Sequence, residues 1–255
     1  MRNIRLTIEY DGTDYSGWQV QNKPRTKTRV NHPKTIQGII ETALKRILQE
    51  DVKLIASGRT DAGVHALAQV ANFKTNSDIP VVKLRSALNG MLPDDIVVKN
   101  IREVELDFHS RFSAKSKTYQ YIILNSPYPS ALLRSKSYFF RFPLNITLMR
   151  NEAKCLLGRH DFQAFCASAS VVKSTVRAIK RLSIKELPGY RLISVEIEAD
   201  GLLYNMARNI VGTLLEIGRG KIPEGYLKKI LASKNRKLAG PTAPAKGLFL
   251  VKVKY

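Results

Sequence analysis

Only two cysteines, Cys155 and Cys166, occur in the 255 residues. Two cysteines without a CxxC pair support neither a disulfide framework nor a structural zinc site. Histidine is scarce as well. His32, His65, His109 and His160 are scattered and lack metal-ligand spacing, so no metal is expected. No long apolar run follows Met1-Arg2-Asn3-Ile4-Arg5-Leu6, so neither a signal peptide nor a membrane span is expected. The expectation is a soluble, cytoplasmic protein. Acidic residues are the last shortage: 21 Asp and Glu face 42 Lys and Arg, a net charge of +21. Such an excess fits a polyanionic partner, because cations that neutralise phosphates release counterions. An anionic membrane surface is the main competitor, and a basic surface serving solubility is the plainest reading. The basic residues are spread along the chain rather than gathered in a tail, which favours nucleic acid.

Hydrophobic residues make up 44% of the chain, enough for a folded core. The length allows one large domain or two modest ones. Ile4, Leu6, Ile8 and Tyr10 alternate with polar residues and predict a strand. The segment from Gln21 to Lys34 is polar, basic and broken by Pro24 and Pro33, which predicts a loop. Ile36, Ile39, Ile40, Ala43, Leu44 and Ile47 fall at helical spacing, with Thr35 as N-cap. Strands are expected at 52–56, 68–74 and 97–104, and a helix from Val82 to Leu92. A second round follows: strands at 117–124, 176–185, 191–199 and 248–255, a helix over 146–157 stopped by Gly158, and an apolar helix from Leu203 to Leu215. The pattern predicts an α+β protein of two similar halves, residues 1–107 and 108–255.

Gly58-Arg59-Thr60-Asp61-Ala62-Gly63 is the most informative stretch. It sets an acid between two glycines just after a strand, with a cation two residues before it. Spacing alone favours a turn-forming Asp61 over a catalytic one. Tyr119 reads by pattern as a strand residue packing in its sheet. Arg208 interrupts an apolar helix. It is either a cation at the edge of a polar face formed by Asn205, Asn209 and Gly212, or a charge with a dedicated partner.

The longer segment Ser57-Gly58-Arg59-Thr60-Asp61-Ala62-Gly63-Val64-His65-Ala66 resembles the signature of the tRNA pseudouridine synthase A family. Tyr10-Asp11-Gly12-Thr13 with Ser16-Gly17-Trp18-Gln19-Val20-Gln21 is similar to that family's N-terminal strand and loop. Leu92-Pro93-Asp94-Asp95-Ile96, Phe108-His109-Ser110-Arg111-Phe112-Ser113-Ala114-Lys115 and Tyr119-Gln120-Tyr121 resemble its middle. His160-Asp161-Phe162, Gly201 to Gly212 and Ala239-Gly240-Pro241-Thr242-Ala243-Pro244 with Gly247-Leu248 complete it. The blocks occur in order across nearly the whole chain. Leu202-Leu203 and Ala207 depart conservatively from the usual residues, and the basic stretch between Gln21 and Thr35 is longer than the usual connector.

The resemblance implies an isomerase that converts uridine to pseudouridine in the anticodon stem-loop of tRNA, at positions 38, 39 and 40, after flipping the target base. It implies two ferredoxin-like halves forming a joined antiparallel sheet, a basic RNA-binding cleft, and a homodimer. No cofactor is called for, since the isomerisation consumes nothing. Asp61 becomes the catalytic carboxylate, Tyr119 the ring stacked on the target uracil, and Arg208 the ion-pair partner of Asp61. Arg59 becomes the residue that contacts RNA and fills the space left by the flipped nucleotide. His65 and Arg111 are weaker candidates for substrate binding, each with a structural or solvated alternative.

Overall fold

The computed structural model describes residues 1–20, 34–167 and 173–255. The basic loop expected from Gln21 to Lys34 falls, except for Lys34, outside the described residues. The chain divides into two compact units: Met1–Lys115 together with Leu250–Tyr255, and Ser116–Phe249. Both are α+β and mostly antiparallel.

The first unit runs β1 (Arg2–Tyr10), α1 (Ile36–Leu48), β2 (Ile55–Ala56), β3 (His65–Thr75), α2 (Val81–Met91) and β4 (Ile96–Val104). Its sheet order is β4-β1-β3, with β2 paired to β3, and all these pairings are antiparallel. The period-two pattern of β1 does what it predicts: Ile4, Leu6, Ile8 and Tyr10 are all buried. In α1 the residues Ile36, Ile40, Ala43, Leu44 and Leu48 are buried, while Ile39 and Ile47 lie at the margin of that face. Thr35 caps the helix, its side chain accepting from the Gly38 amide at 3.3 Å. The expected strand at 52–56 shrinks to two residues.

A buried polar cluster ties this sheet to the turn that follows β4. Asn3 Nδ2 donates to the carbonyls of Glu105 and Phe108, and Asn72 Nδ2 donates to Asn3 Oδ1. Asn72 Oδ1 accepts from the Ser110 amide at 2.9 Å. Both asparagines are essentially water-free, and burying them is tolerable because their amides are bonded.

Two phenols of this unit report on its packing. Burial pushes both Tyr10 and Tyr255 up to about 12, well above the ordinary phenol value. A raised folded-state value means that the folded protein holds the proton more tightly than the unfolded chain. This stabilisation is therefore complete below about pH 10 and is lost as pH rises toward about 12. Denaturant unfolding at about pH 9 and pH 11 is expected to show a lower stability at the higher pH. Tyr10→Phe is expected to narrow that gap, and an unchanged gap would count against a buried, protonated Tyr10.

The second unit holds β5 (Ser116–Leu124), β6 (Tyr138–Phe139), α3 (Ile146–Ala153), β7 (Gly158–Asp161), β8 (Val176–Leu187), β9 (Leu192–Ala199), α4 (Met206–Gly218) and α5 (Tyr226–Ser233). Its strand order is β5-β9-β8-β7, antiparallel throughout, with the short β6 parallel to β5. The helix expected over 146–157 is α for eight residues and then tightens into a 3-10 turn over Lys154–Leu156. Gly158, at φ +93°, opens β7 there instead of only ending a helix. The last strand, β10 (Leu248–Lys254), neighbours β3, and its end from Leu250 onward counts with the first unit. No helix of the described residues is long and apolar enough to cross a membrane.

Candidate active site

Asp61 sits in a turn between β2 and β3, and the N-terminal segment 11–18 grips that turn through its backbone. The Val64 amide bonds the Asp61 carbonyl at 3.2 Å, closing the turn, with Gly63 at φ +75°. The Trp18 amide donates to the Thr60 carbonyl at 3.0 Å. Gly12 and Gly17 are required by proximity. A Cβ on Gly12 would lie 2.0 Å from the Val64 oxygen, and one on Gly17 2.6 Å from the Thr60 oxygen. Below the turn, the Tyr10 hydroxyl and Thr60 Oγ1 share a hydrogen bond of 2.7 Å. Ser57 Oγ donates to Gln69 Oε1, while Gln69 Nε2 donates to the Gly58 carbonyl. The residues on either side of Asp61 are thus held by buried groups, and Asp61 itself is half-exposed. Arg59, two residues before it, is exposed.

His65 is only 1% exposed. Its Nδ1 accepts from the Gly12 amide at 3.1 Å and lies 3.0 Å from Asp11 Oδ1. One nitrogen cannot accept from the amide and donate to the carboxylate at once. The amide hydrogen is aimed at the ring, and Asp11 Oδ1 already accepts from Thr13, so the acceptor arrangement is the better description. Those contacts lock segment 11–13 to the start of β3. Arg111 is exposed, with its guanidinium 5.6 Å from the Phe112 ring centroid.

Tyr119 and Arg208 belong to the second unit. Tyr119 is 9% exposed and shares a face of β5 with Tyr121, two residues on. The Tyr121 hydroxyl donates to the Pro244 carbonyl at 2.7 Å, and burial pushes this phenol far up, partly offset by the Arg208 charge. Arg208 is fixed by the neighbouring residue of the same segment. Its Nε donates to the Ala243 carbonyl at 2.7 Å, the Ala243 amide returns a bond to the Arg208 carbonyl, and Nη1 donates to Asn205 Oδ1 at 2.8 Å. Asn205 adopts a left-handed backbone, φ 61°, just before α4 begins. Segment 239–244 therefore bonds both Tyr121 and Arg208, the second of which is a candidate position.

The polar-face reading of α4 is corrected here. Asn209 is fully buried, and Gly212 is buried beneath Pro241, where a Cβ would come within 1.7 Å of the carbonyl oxygen. Asn209 Nδ2 donates to the Phe165 carbonyl, and its Oδ1 accepts from Arg236 Nη2 and Thr242 Oγ1. This face is polar in composition because Asn209 binds the Phe165 backbone and the side chains of Arg236 and Thr242. The sequence places Asn209 only on a polar face and Gly12 and Ala243 only in family-like blocks, and it gives Gln69 no part. Asn209 and Gly212 stood out in an apolar helix, and a small residue next to a polar one was the available signal for close packing. Among the described residues, no group of three or more His, Cys, Asp or Glu is placed to hold a metal ion.

Comparison with known proteins agrees with the motif blocks. The family model for tRNA pseudouridine synthase matches residues 6–113 and 153–255. The tRNA pseudouridine synthase A of Acetivibrio thermocellus is 50% identical over 255 residues, covering 100% of each chain. That of Thermoanaerobacter pseudethanolicus is 49% identical over 255 residues and that of Ruminiclostridium cellulolyticum 48%, each again covering 100% of both chains. A solved Cbf5-Nop10-Gar1 complex aligns at TM-score 0.35 and 12% identity, over 96% of this chain and 60% of that one, a likeness too slight to carry weight. With most of its length matched by the family model and full-length relatives at about half identity, the chain belongs to the tRNA pseudouridine synthase family, whose members are isomerases.

Proposed function

We propose that this protein isomerises uridine to pseudouridine at positions 38, 39 and 40 of tRNA, with Asp61 as the catalytic carboxylate. The observation that carries this is the Asp61 turn: a half-exposed acid whose flanking residues are clamped by buried bonds on either side. The relatives' names supply the tRNA, and the +21 charge suits such a polyanion. The order β4-β1-β3-β2 around two helices supports a ferredoxin-like reading of the first unit.

The reaction breaks the bond from ribose C1′ to uracil N1, turns the base, and joins C1′ to C5. The C5 hydrogen leaves and N1 gains one, so the mass of the RNA is unchanged. The difficult step leaves positive character on C1′, which a carboxylate can stabilise or attack. A stacked base hides these atoms, so the nucleotide is extruded first. Arg59, exposed beside the acid, fills the gap in the RNA. Tyr119 stacks on the uracil, and Arg208 keeps the carboxylate ionised. Arg111 meets phosphate. His65, fully buried, acts by holding the turn and not by touching RNA.

Position-resolved mapping on a tRNA transcript incubated with the purified protein tests this reading. Pseudouridine at 38, 39 or 40 with no released uracil is expected; free uracil, or modification elsewhere only, would defeat it. Arg208→Met gives an independent check. Without the cation the carboxylate is protonated more readily, so the acid limb of kcat/KM is expected to move to higher pH. An unmoved limb would remove Arg208 from that role.

A further inference from the structure

The turn after β4 presents one aromatic ring in a manner that packing does not explain. Phe112 is 76% exposed, yet the turn that carries it is rigidly built. The Ser113 amide donates to the His109 carbonyl at 2.9 Å, and the His109 amide donates to Ser113 Oγ at 3.2 Å. The amides of Arg111 and Phe112 both donate to His109 Nδ1, each at 3.2 Å. This fixes the imidazole against the Phe112 ring, with centroids 4.3 Å apart and planes 29° apart. The base of the turn is anchored three times: Asn3 bonds the Phe108 carbonyl, Asn72 bonds the Ser110 amide, and the Tyr255 hydroxyl bonds the Ser110 carbonyl. Tyr128 and Tyr190 are about as exposed, but among the described residues neither rests on another ring.

An isolated surface Phe is ordinary. A Phe backed by a fixed imidazole, on an anchored turn, with a guanidinium 5.6 Å from its centroid, is a prepared flat surface. We propose that Phe112, seated on His109 and flanked by Arg111, is a stacking platform for an unpaired base of the RNA substrate. A π-face accepts any base, and the exposed guanidinium over the ring suits a phosphate or a base edge. A second copy of the chain is the weaker occupant: one ring offers far less than the roughly 800 Å² that each partner contributes to a stable interface. The inference rests on the reading of the chain as a tRNA-modifying enzyme.

The test uses full-length Phe112→Ala, Phe112→Leu and Phe112→Trp with a tRNA transcript and with an RNA duplex lacking unpaired nucleotides. Phe112→Ala is expected to weaken transcript binding and raise KM about 10-fold, with kcat at saturation unchanged. Its melting temperature should equal that of the wild type, because the ring lies in water. Phe112→Trp should restore KM, and its fluorescence should be quenched by the transcript and not by the duplex; Trp18, the only native tryptophan, is buried. Unchanged KM in Phe112→Ala, full rescue by Phe112→Leu, or a changed oligomeric state on sedimentation would each overturn the platform. If the wild type forms no pseudouridine, the functional reading itself falls; wild-type activity alongside an indifferent Phe112→Ala removes only the platform.

Discussion

Asp61→Asn is expected to slow pseudouridine formation at least about 10³-fold while leaving tRNA affinity nearly intact. The substitution separates the two roles that Asp61 can fill. Asn suits a turn as well as Asp does, since both side chains tolerate such backbones. The hydrogen bond that closes the turn uses the Asp61 carbonyl, and the Tyr10–Thr60 bond and the Gln69 bonds involve other residues. None of them changes in the variant. What disappears is the negative charge and the ability to attack or stabilise C1′. A structural Asp61 would therefore leave activity where it was. The measurement is a single-turnover assay on a tRNA transcript tritiated at uridine C5, because joining C1′ to C5 releases that hydrogen to water. Melting temperature and transcript affinity are measured alongside. Tritium release at the wild-type rate would refute the catalytic assignment outright, and a large fall in melting temperature would show that the side chain also holds the fold.

The chemistry of this chain was more legible in the sequence than its supports were. Alternation in β1 and helical spacing in α1 were plain because each element buries one regular face. α5 is equally readable from Leu227, Ile230 and Leu231, at helical spacing between Gly225 and Lys234. β7 was not readable. Gly158-Arg159-His160-Asp161 has no strand character of its own and is extended because it pairs with β8. At the site, the motif pointed to Asp61 through its glycines and its family resemblance. That segment 11–18 clamps the turn depends on a bond from the Trp18 amide to the distant Thr60 carbonyl, made by backbone atoms that carry no side-chain signature. The same holds for Arg208, which is oriented by the backbone of Ala243.

Two glycine-to-alanine changes, both in helices, are expected to have opposite signs. Alanine is the better helix former by about 1 kcal/mol, so propensity alone favours both changes. Gly90, exposed in the last turn of α2, has nothing within 4 Å of an added Cβ. Gly90→Ala should be neutral or stabilising by up to about 1 kcal/mol. Gly212 lies inside α4, where an added Cβ would stand 1.7 Å from the Pro241 oxygen and 3.0 Å from its carbonyl carbon. Neither partner is a side chain that can swing away. Pro241 belongs to the segment bonded through Thr242 to Asn209 and through Ala243 to Arg208, so relieving the clash pulls on both. Displacing packed backbone by more than an ångström outweighs the propensity gain, and Gly212→Ala should cost at least about 3 kcal/mol. For a chain of this size that lowers the melting temperature by roughly 6–12 °C. Activity should fall as well, even well below the melting transition, because the segment that moves is the one that orients Arg208. Thermal melts of the two variants, with single-turnover rates at a temperature where both remain folded, check the pair. Equal melting temperatures would mean that α4 and segment 239–244 are less closely packed than the Gly212 contact requires.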